Sequence, residues 1–277
     1  MMNLFDLENR VAIITGGAGL LGAKHAEAIA EIGGIPVLLD IDEGKAKNQA
    51  KSIIDSYGVP ARYYKCDITL CREVYKIFDQ VLKDLGRIDI LINNAAIDSK
   101  VEDKDTEKNT SRFENFDVNN WKNEFNVGIT GTFICTYVFG SLMAEQGHGI
   151  IINIGSDLSF IAPNQKIYIN KNIKKEDQPV KPFSYSVIKH SILGLSKYFS
   201  AQFAPYGVRV NLLAPAGVWN NELTNEFVSK LKEQVPMNRM ANDDDYKGCI
   251  QFLCSDASSY MTGGNLLVDG GRTIGSV

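Results

Sequence analysis

A short β-branched run that breaks off into regularly spaced glycines constrains this chain more than any other stretch. Arg10 to Thr15 reads Arg-Val-Ala-Ile-Ile-Thr and stops at Gly16-Gly17-Ala18-Gly19-Leu20-Leu21-Gly22, after which a helical pattern runs from about Leu20 to Ile32. Strand, glycine turn and helix follow one another without a linker. Glycines at 16, 19 and 22 allow a tight turn and let the backbone approach a pyrophosphate, whose charge is met by the helix N-terminus. The alternative is a plain glycine-rich strand-to-helix turn with no ligand.

The next strand, Ile35 to Leu39, ends in Asp40-Ile41-Asp42, roughly twenty residues beyond the glycines, where a carboxylate accepts hydrogen bonds from ribose hydroxyls and repels a 2'-phosphate. No arginine or lysine lies within the glycine turn or just after Asp40, which favours NAD over NADP. Asp42 is the competing choice for the same role.

Alternation continues through a helix (Glu43 to Tyr57), a strand (Ala61 to Lys65) closed by Cys66-Asp67-Ile68-Thr69, a helix (Leu70 to Leu85), and a strand (Ile88 to Ile92) ending in Asn93-Asn94-Ala95-Ala96. A charged run from Lys100 to Arg112 reads as a solvated loop. A long helical stretch from Val118 to Glu145 carries Asn126, and the fifth strand, Ile150 to Ile154, ends at Gly155-Ser156. Val208 to Leu213 and Leu266 to Val268 complete the set. Strands alternating with helices predict an α/β fold, a Rossmann-type doubly wound parallel sheet of about seven strands with its ligands at the carboxyl ends of the strands. At 277 residues and 44% apolar, with no repeat or linker, residues 1–277 read as one domain.

Tyr185-Ser186-Val187-Ile188-Lys189 adds chemistry to that frame. On a helix, the four-residue spacing places phenol and ammonium on one face, one turn apart. A free tyrosine titrates near pH 10, and a neighbouring cation favours its phenolate, so Tyr185 gains the capacity to exchange a proton with a carbinol near neutral pH. A chance pair on a solvated helix is the alternative.

The net charge of -4 offers no basic surplus for a nucleic acid. The N-terminus lacks a basic region followed by an apolar run, and no apolar stretch approaches the ~18 residues that span a bilayer, so a cytoplasmic protein without a membrane partner is expected. Five cysteines, at 66, 71, 135, 249 and 254, form no Cys-x-x-Cys pair and read as buried reduced thiols. No metal site is expected from them or from the three histidines.

Taken together, Thr15-Gly16 with Gly22, Asp67-Ile68-Thr69, Asn93 to Ala96, Asn126, Ser156, Tyr185 with Lys189, Arg209-Val210-Asn211 and Thr262-Gly263 through Val268-Asp269-Gly270-Gly271 resemble the compact, single-domain branch of the short-chain dehydrogenase/reductase family. The resemblance covers nearly the whole chain. It implies Tyr185 as general acid/base, Ser156 bonded to the reacting oxygen, Lys189 on the nicotinamide ribose and lowering the tyrosine pKa, and Asn126 in a proton relay. It also implies cofactor contacts at Gly16, Gly19, Leu20, Leu21, Gly22, Asp40, Ile41, Asp67, Ile68, Asn94, Ala95, Ala96, Tyr185, Lys189, Pro215, Gly217 and Val218. Relatives pair through the long helices, which implies a homodimer or homotetramer.

Three features depart from the branch. Leu20 stands where glycine is usual, and the glycine spacing matches the nucleotide-sugar-modifying branch instead. Pro215-Ala216-Gly217 replaces Pro-Gly, and Asn220 and Asn221 stand where a threonine is expected. The connection 157–183 is about twice the usual length. The Met237 to Met240 run and the end Asp269-Gly270-Gly271-Arg272-Thr273 are similar to bacterial oxidoreductases of flagellin and surface-sugar modification. The resemblance therefore implies an NAD-dependent oxidoreductase working on a secondary alcohol or ketone, with a sugar derivative as one candidate. The alternatives are a nucleotide-sugar epimerase or dehydratase and a non-catalytic NAD(H)-binding protein. Between Pro163 and Lys181, five lysines (166, 171, 174, 175 and 181) face only Glu176 and Asp177. That segment reads as a substrate lid favouring an anionic substrate, or else as a solvated loop or subunit contact.

Overall fold

The computed structural model describes residues 3–97, 101 and 111–274. Seven parallel strands form one sheet in the order β3-β2-β1-β4-β5-β6-β7. They are β1 (Val11–Thr15), β2 (Ile35–Asp40), β3 (Arg62–Lys65), β4 (Ile90–Asn93), β5 (Gly149–Ile154), β6 (Val208–Pro215) and β7 (Asn265–Val268). Crossovers are made by α1 (Leu20–Glu31), α2 (Glu43–Tyr57), α3 (Cys71–Leu85), α4 (Val118–Phe125) continuing into α5 (Thr132–Gln146), α6 (Phe183–Phe203), α7 (Asn225–Lys232) and α8 (Lys247–Cys254). Every strand and helix anticipated from the pattern is present, with ends shifted by a residue or two. The short helices α7 and α8 lie in the stretch after Trp219, beyond the helices the pattern anticipates.

Central strands are apolar on both faces because helices cover both. Ala12, Ile14, Leu38, Ile90, Ile92 and Ile152 are buried in the layer with α1, α2 and α8. Their neighbours Val11, Ile13, Val37, Leu39, Leu91 and Ile151 are buried in the layer with α3 and α5, as the two-residue strand period requires. Strand β3, Arg-Tyr-Tyr-Lys, is an edge, and its charged ends are exposed.

The chain winds outward from β1 to β3, then returns to β4 and winds the other way. The carboxyl ends of β1 and β4 therefore flank the point where the order reverses, and open α/β sheets bind their ligands there.

Two expectations are corrected. Helix Val118–Gln146 is long and apolar enough, by length and composition, to cross a bilayer, with a mean hydropathy of 1.5 over its best window. Half of that window is buried, and α5 owes its apolarity to packing on β4, β5 and α3. Of the cysteines, Cys66, Cys135 and Cys254 are buried, but Cys71 is exposed and Cys249 half-buried, because each lies on the outer part of its helix's first turn. Burial pushes the Cys66 and Cys254 thiols up to about 12, so both stay protonated at neutral pH. The expected solvated loop, Lys100 to Arg112, lies almost wholly outside the described residues.

Candidate active site

The glycine turn is a backbone device. Gly16 adopts a φ of 60°, and a Cβ there would sit 2.9 Å from the Ala95 Cα. A Cβ on Gly22 would sit 2.0 Å from the Gly16 carbonyl oxygen, so only glycine lets the first turn of α1 pack on the loop. The loop is then tied to β4. Asn94 Nδ2 donates to the Thr15 and Gly16 carbonyls at 3.0 and 3.1 Å, while Thr15 Oγ1 accepts from the Asn94 and Ala95 amides, both at 3.0 Å. Gly19, the N-cap of α1, supplies no side-chain acceptor. The amides of Leu20, Leu21 and Gly22 thus meet whatever anion arrives there, and that fits a dinucleotide pyrophosphate. Leu20, which takes the place of the usual glycine, is half exposed and does not disturb the turn.

Asp40 ends β2 beside this turn. Its Oδ2 accepts from the Ala18 amide at 3.0 Å and its Oδ1 from the Asp42 amide at 3.0 Å, which fixes the carboxylate at the rim. Asp42 is occupied differently: it caps α2 through the Lys45 amide at 3.0 Å and pairs with the Lys45 ammonium at 3.4 Å. The backbone bond from Lys45 holds its carboxyl below the usual range. Ile41 is exposed beyond the rim and Ile68 is buried under it, while Asp67 spends Oδ1 on the Thr69 amide and hydroxyl.

Ser156 and Lys189 come together at the carboxyl end of β5, and Tyr185 lies one turn before Lys189 on α6. Lys189 is buried and donates from Nζ to the Ile154 carbonyl at 2.9 Å. Ser159 closes the other side of this clasp: its hydroxyl accepts from the Ser156 amide at 3.1 Å and donates to the Lys189 carbonyl at 2.9 Å. The strand end and the first turns of α6 are thereby locked in register. Lys189 Nζ lies 5.6 Å from the Tyr185 ring centroid, and Lys181 Nζ lies nearer, at 4.0 Å. Two ammonium groups therefore border the phenol.

Asn126 is placed less directly. It opens a π-helical segment, Asn126–Gly131, between α4 and α5, is exposed, and lines a depression of about 480 Å³ with Trp121, Lys122, Asn123, Phe125 and Thr130. Its helix reaches α6 through Gly128, where a Cβ would meet Ile188 at 2.6 Å.

Pro215, Ala216, Gly217 and Val218 follow β6. The buried Tyr246 hydroxyl accepts from the Ala216 amide at 3.1 Å and donates to its carbonyl at 3.2 Å. Gly217 and Val218 are held against Ala241. Ala216 is thus a built part of the wall. Arg209 and Asn211 serve the frame: they reach the Leu253, Ser255 and Met261 carbonyls.

The connection 157–183 is docked. Three single 3-10 turns, Asp157–Ser159, Gln165–Tyr168 and Lys175–Asp177, punctuate it, and Ile167 is buried against Leu231 and Met240. Gln178 bonds both backbone groups of Asn170 at 2.8 Å, and Gln165 bonds both of Lys181 at 2.9 and 3.2 Å. Lys166, Lys171, Lys174 and Lys175 remain exposed.

Sequence reasoning missed Asp157, Ser159, Tyr246 and Arg272. The readable signal for the first two was Ser-Asp-Leu-Ser directly after a strand, a spacing suited to capping the turn that follows. Tyr246 and Arg272 act across long sequence separations and left no local signal.

Comparison with known proteins extends this picture. Residues 17–273 match the family model described as Enoyl-(Acyl carrier protein) reductase. D-threitol dehydrogenase of Mycolicibacterium smegmatis is 29% identical, covering 98% of this chain and 95% of its own. NAD-dependent glycerol dehydrogenase of Listeria innocua is also 29% identical, covering 98% and 96%. Among solved structures, a gluconate 5-dehydrogenase from Burkholderia cenocepacia, in complex with NADP and tartrate, superposes with a TM-score of 0.84 at 29% identity, covering 98% of each chain.

Proposed function

Because the chain belongs to the short-chain dehydrogenase/reductase family, oxidoreductases acting on alcohol and ketone groups, we propose that it interconverts a secondary alcohol and a ketone of a polyol or sugar derivative with NAD as cofactor. The observation that carries this reading is the clasp that joins Ser156, Lys189 and the helix bearing Tyr185 at the carboxyl end of β5. Residues 1–277 act as one domain, with 157–183 as its substrate-side segment.

The glycine turn and the first amides of α1 would hold the pyrophosphate, Asp40 the adenosine ribose, and Pro215 to Val218 would wall the nicotinamide end. When bound, the nicotinamide exchanges a hydride with the carbinol carbon. Tyr185 takes the hydroxyl proton in oxidation and returns it in reduction, and Lys189 and Lys181 favour the phenolate that does so. Lys189 also orients the ribose, and Asn126 passes the proton onward. The relatives named above include NAD-dependent and NADP-bound proteins, so the preference for NAD rests on the Asp40 carboxylate and on the lack of arginine or lysine in the glycine turn or just after Asp40.

Mixing the protein with NAD or NADP and a panel of polyols, including threitol, glycerol and gluconate, tests the reading. Reduced nicotinamide should appear with NAD and at least one of them. No turnover of any alcohol or of the matching ketones would refute it. Exposed Phe133, Tyr137, Val187 and Tyr198 on α5 and α6 support pairing of two copies through these helices. A dimer or tetramer is expected in light scattering at micromolar concentration, and a monomer would contradict this.

A further inference from the structure

Tyr185 stands at the weakest place on its helix. α6 begins at Phe183, so the tyrosine belongs to the first turn. The first amides of a helix have no partner within it, and a first turn frays unless something holds it. Pro182, the N-cap, offers no side-chain acceptor, and the turn carries no acidic residue to meet the helix dipole. Lys189, one turn on, is fastened to Ile154 and Ser159. That clasp secures the second turn of α6 and leaves the first to other contacts.

Those contacts come from another part of the chain. Three rings grip the Phe183 ring: Phe116 at 4.6 Å between centroids, Trp121 at 5.4 Å and Phe113 at 5.6 Å. All lie within the range over which aromatic pairs attract. Trp121 is near parallel to Phe183, at 27°, and packs in turn on Phe125 at 4.2 Å. Phe113 and Phe116 lie between β4 and α4, and Trp121 and Phe125 on α4. Two hydrogen bonds tie the same segment to the chain that enters α6. The Val180 amide donates to the buried Ser111 hydroxyl at 3.2 Å, and Arg112 Nη1 donates to the Gln178 carbonyl at 3.3 Å. Gln165 holds both backbone groups of Lys181 just before the helix starts.

We propose that Phe183 is a positioning residue for Tyr185: seated among Phe113, Phe116 and Trp121, it keeps the uncapped first turn of α6 wound, and with it the phenol in line with Lys189. This rests on the reading above, in which Tyr185 exchanges the proton. Turnover then scales with the fraction of molecules whose first turn is wound. Cofactor affinity does not, because the glycine turn and the separately clasped Lys189 supply it.

The test measures kcat, cofactor affinity and the melting transition in wild type, Phe183→Ala, Phe183→Tyr and Trp121→Leu. Hydrogen exchange is followed at the amides of Val187, Ile188 and Lys189, which bond to the first-turn carbonyls. Phe183→Ala should lower kcat by about tenfold or more, since losing three ring contacts leaves the turn wound in about a tenth of the molecules or fewer. Trp121→Leu, which changes the cradle and leaves α6 intact, should lower it by a few-fold, and Phe183→Tyr, which keeps the ring, should stay close to wild type. Exchange at the three amides should quicken in step with the loss of kcat, while amides beyond Ser191 stay as slow as in wild type. Undiminished kcat in folded Phe183→Ala, or a loss matched by an equal loss of cofactor affinity, overturns the proposal. If Phe183→Ala fails to fold, Trp121→Leu carries the test by the same criteria. If wild type turns over no alcohol or ketone, the dehydrogenase reading fails first and hydrogen exchange decides the role of Phe183. Quickening confined to the three amides supports it, and unchanged exchange overturns it.

Discussion

The two ends of the crevice are built by different means. At the glycine turn, the Asn94 side-chain amide and the Thr15 hydroxyl tie strand ends together, and a single Cβ at Gly22 would collide with a carbonyl. At the other end, the connection 160–182 lies over α7 with its own small apolar cluster, and the side-chain amides of Gln165 and Gln178 hold its shape. The first arrangement leaves no room for a side chain at Gly16 or Gly22. The second is shaped by side chains of the connection itself, which can change while the sheet stays as it is.

Four substitutions probe that division. Tyr185→Phe sits where the two sides meet and should have the largest effect: turnover should fall by ~10² or more with cofactor affinity nearly unchanged. Steady-state kinetics and cofactor titration check it, and retained turnover removes Tyr185 from the chemistry.

Next is His25, sealed in α1 behind the glycine turn, where burial lowers its pKa to about 3. The unfolded chain takes up a proton near the ordinary value of about 6.5 and the folded one does not. Stability should therefore fall as pH drops through that interval, by up to about 1.4 kcal/mol per pH unit from this residue, and be indifferent to it above neutrality. Denaturant titrations of wild type and His25→Leu at about pH 7 and pH 5.5 read this out, and the variant should show the shallower loss. Equal losses assign the pH dependence elsewhere.

Asp40→Ala should shift the NAD-to-NADP affinity ratio toward NADP by about tenfold, one unscreened charge repulsion at the rim. An unchanged ratio shows that Asp40 is not the discriminator. Smallest is the triple change Lys171, Lys174 and Lys175→Ser on the substrate side. It should raise KM for an anionic substrate by a few-fold and remove its salt dependence, leaving cofactor affinity intact, because exposed charges are screened. Unchanged kinetics there would leave those lysines without a part in substrate attraction.

The same division decided what could be read before folding. Val11 to Thr15 and the glycines after it declare a strand and a turn through local sterics, so the sheet, its order of elements and the positions of Gly16, Asp40, Ser156, Tyr185 and Lys189 were legible. The docking of Ile167 on Leu231 and Met240 was not, since it depends on residues more than sixty positions apart finding one another. The Tyr246 hydroxyl on Ala216 and the Arg272 guanidinium on Asp157 were hidden for the same reason. Cys71 was misread because burial depends on which side of a helix meets the sheet, and composition does not carry that information.

The π-helical segment Asn126–Gly131 acts as a phase shifter. A π turn holds one residue more than the α-helical ladder, so everything before it is rotated by about 100° relative to a continuous helix. Thr132 onward can then keep its apolar register on β4 and β5 while Asn126 stays exposed at the rim of the depression it lines. Deleting a single residue from this segment would leave a longer, straighter helix whose halves no longer agree on which side is inward. The orientation of Asn126 thus hangs on a residue count, a quantity that no substitution can repair.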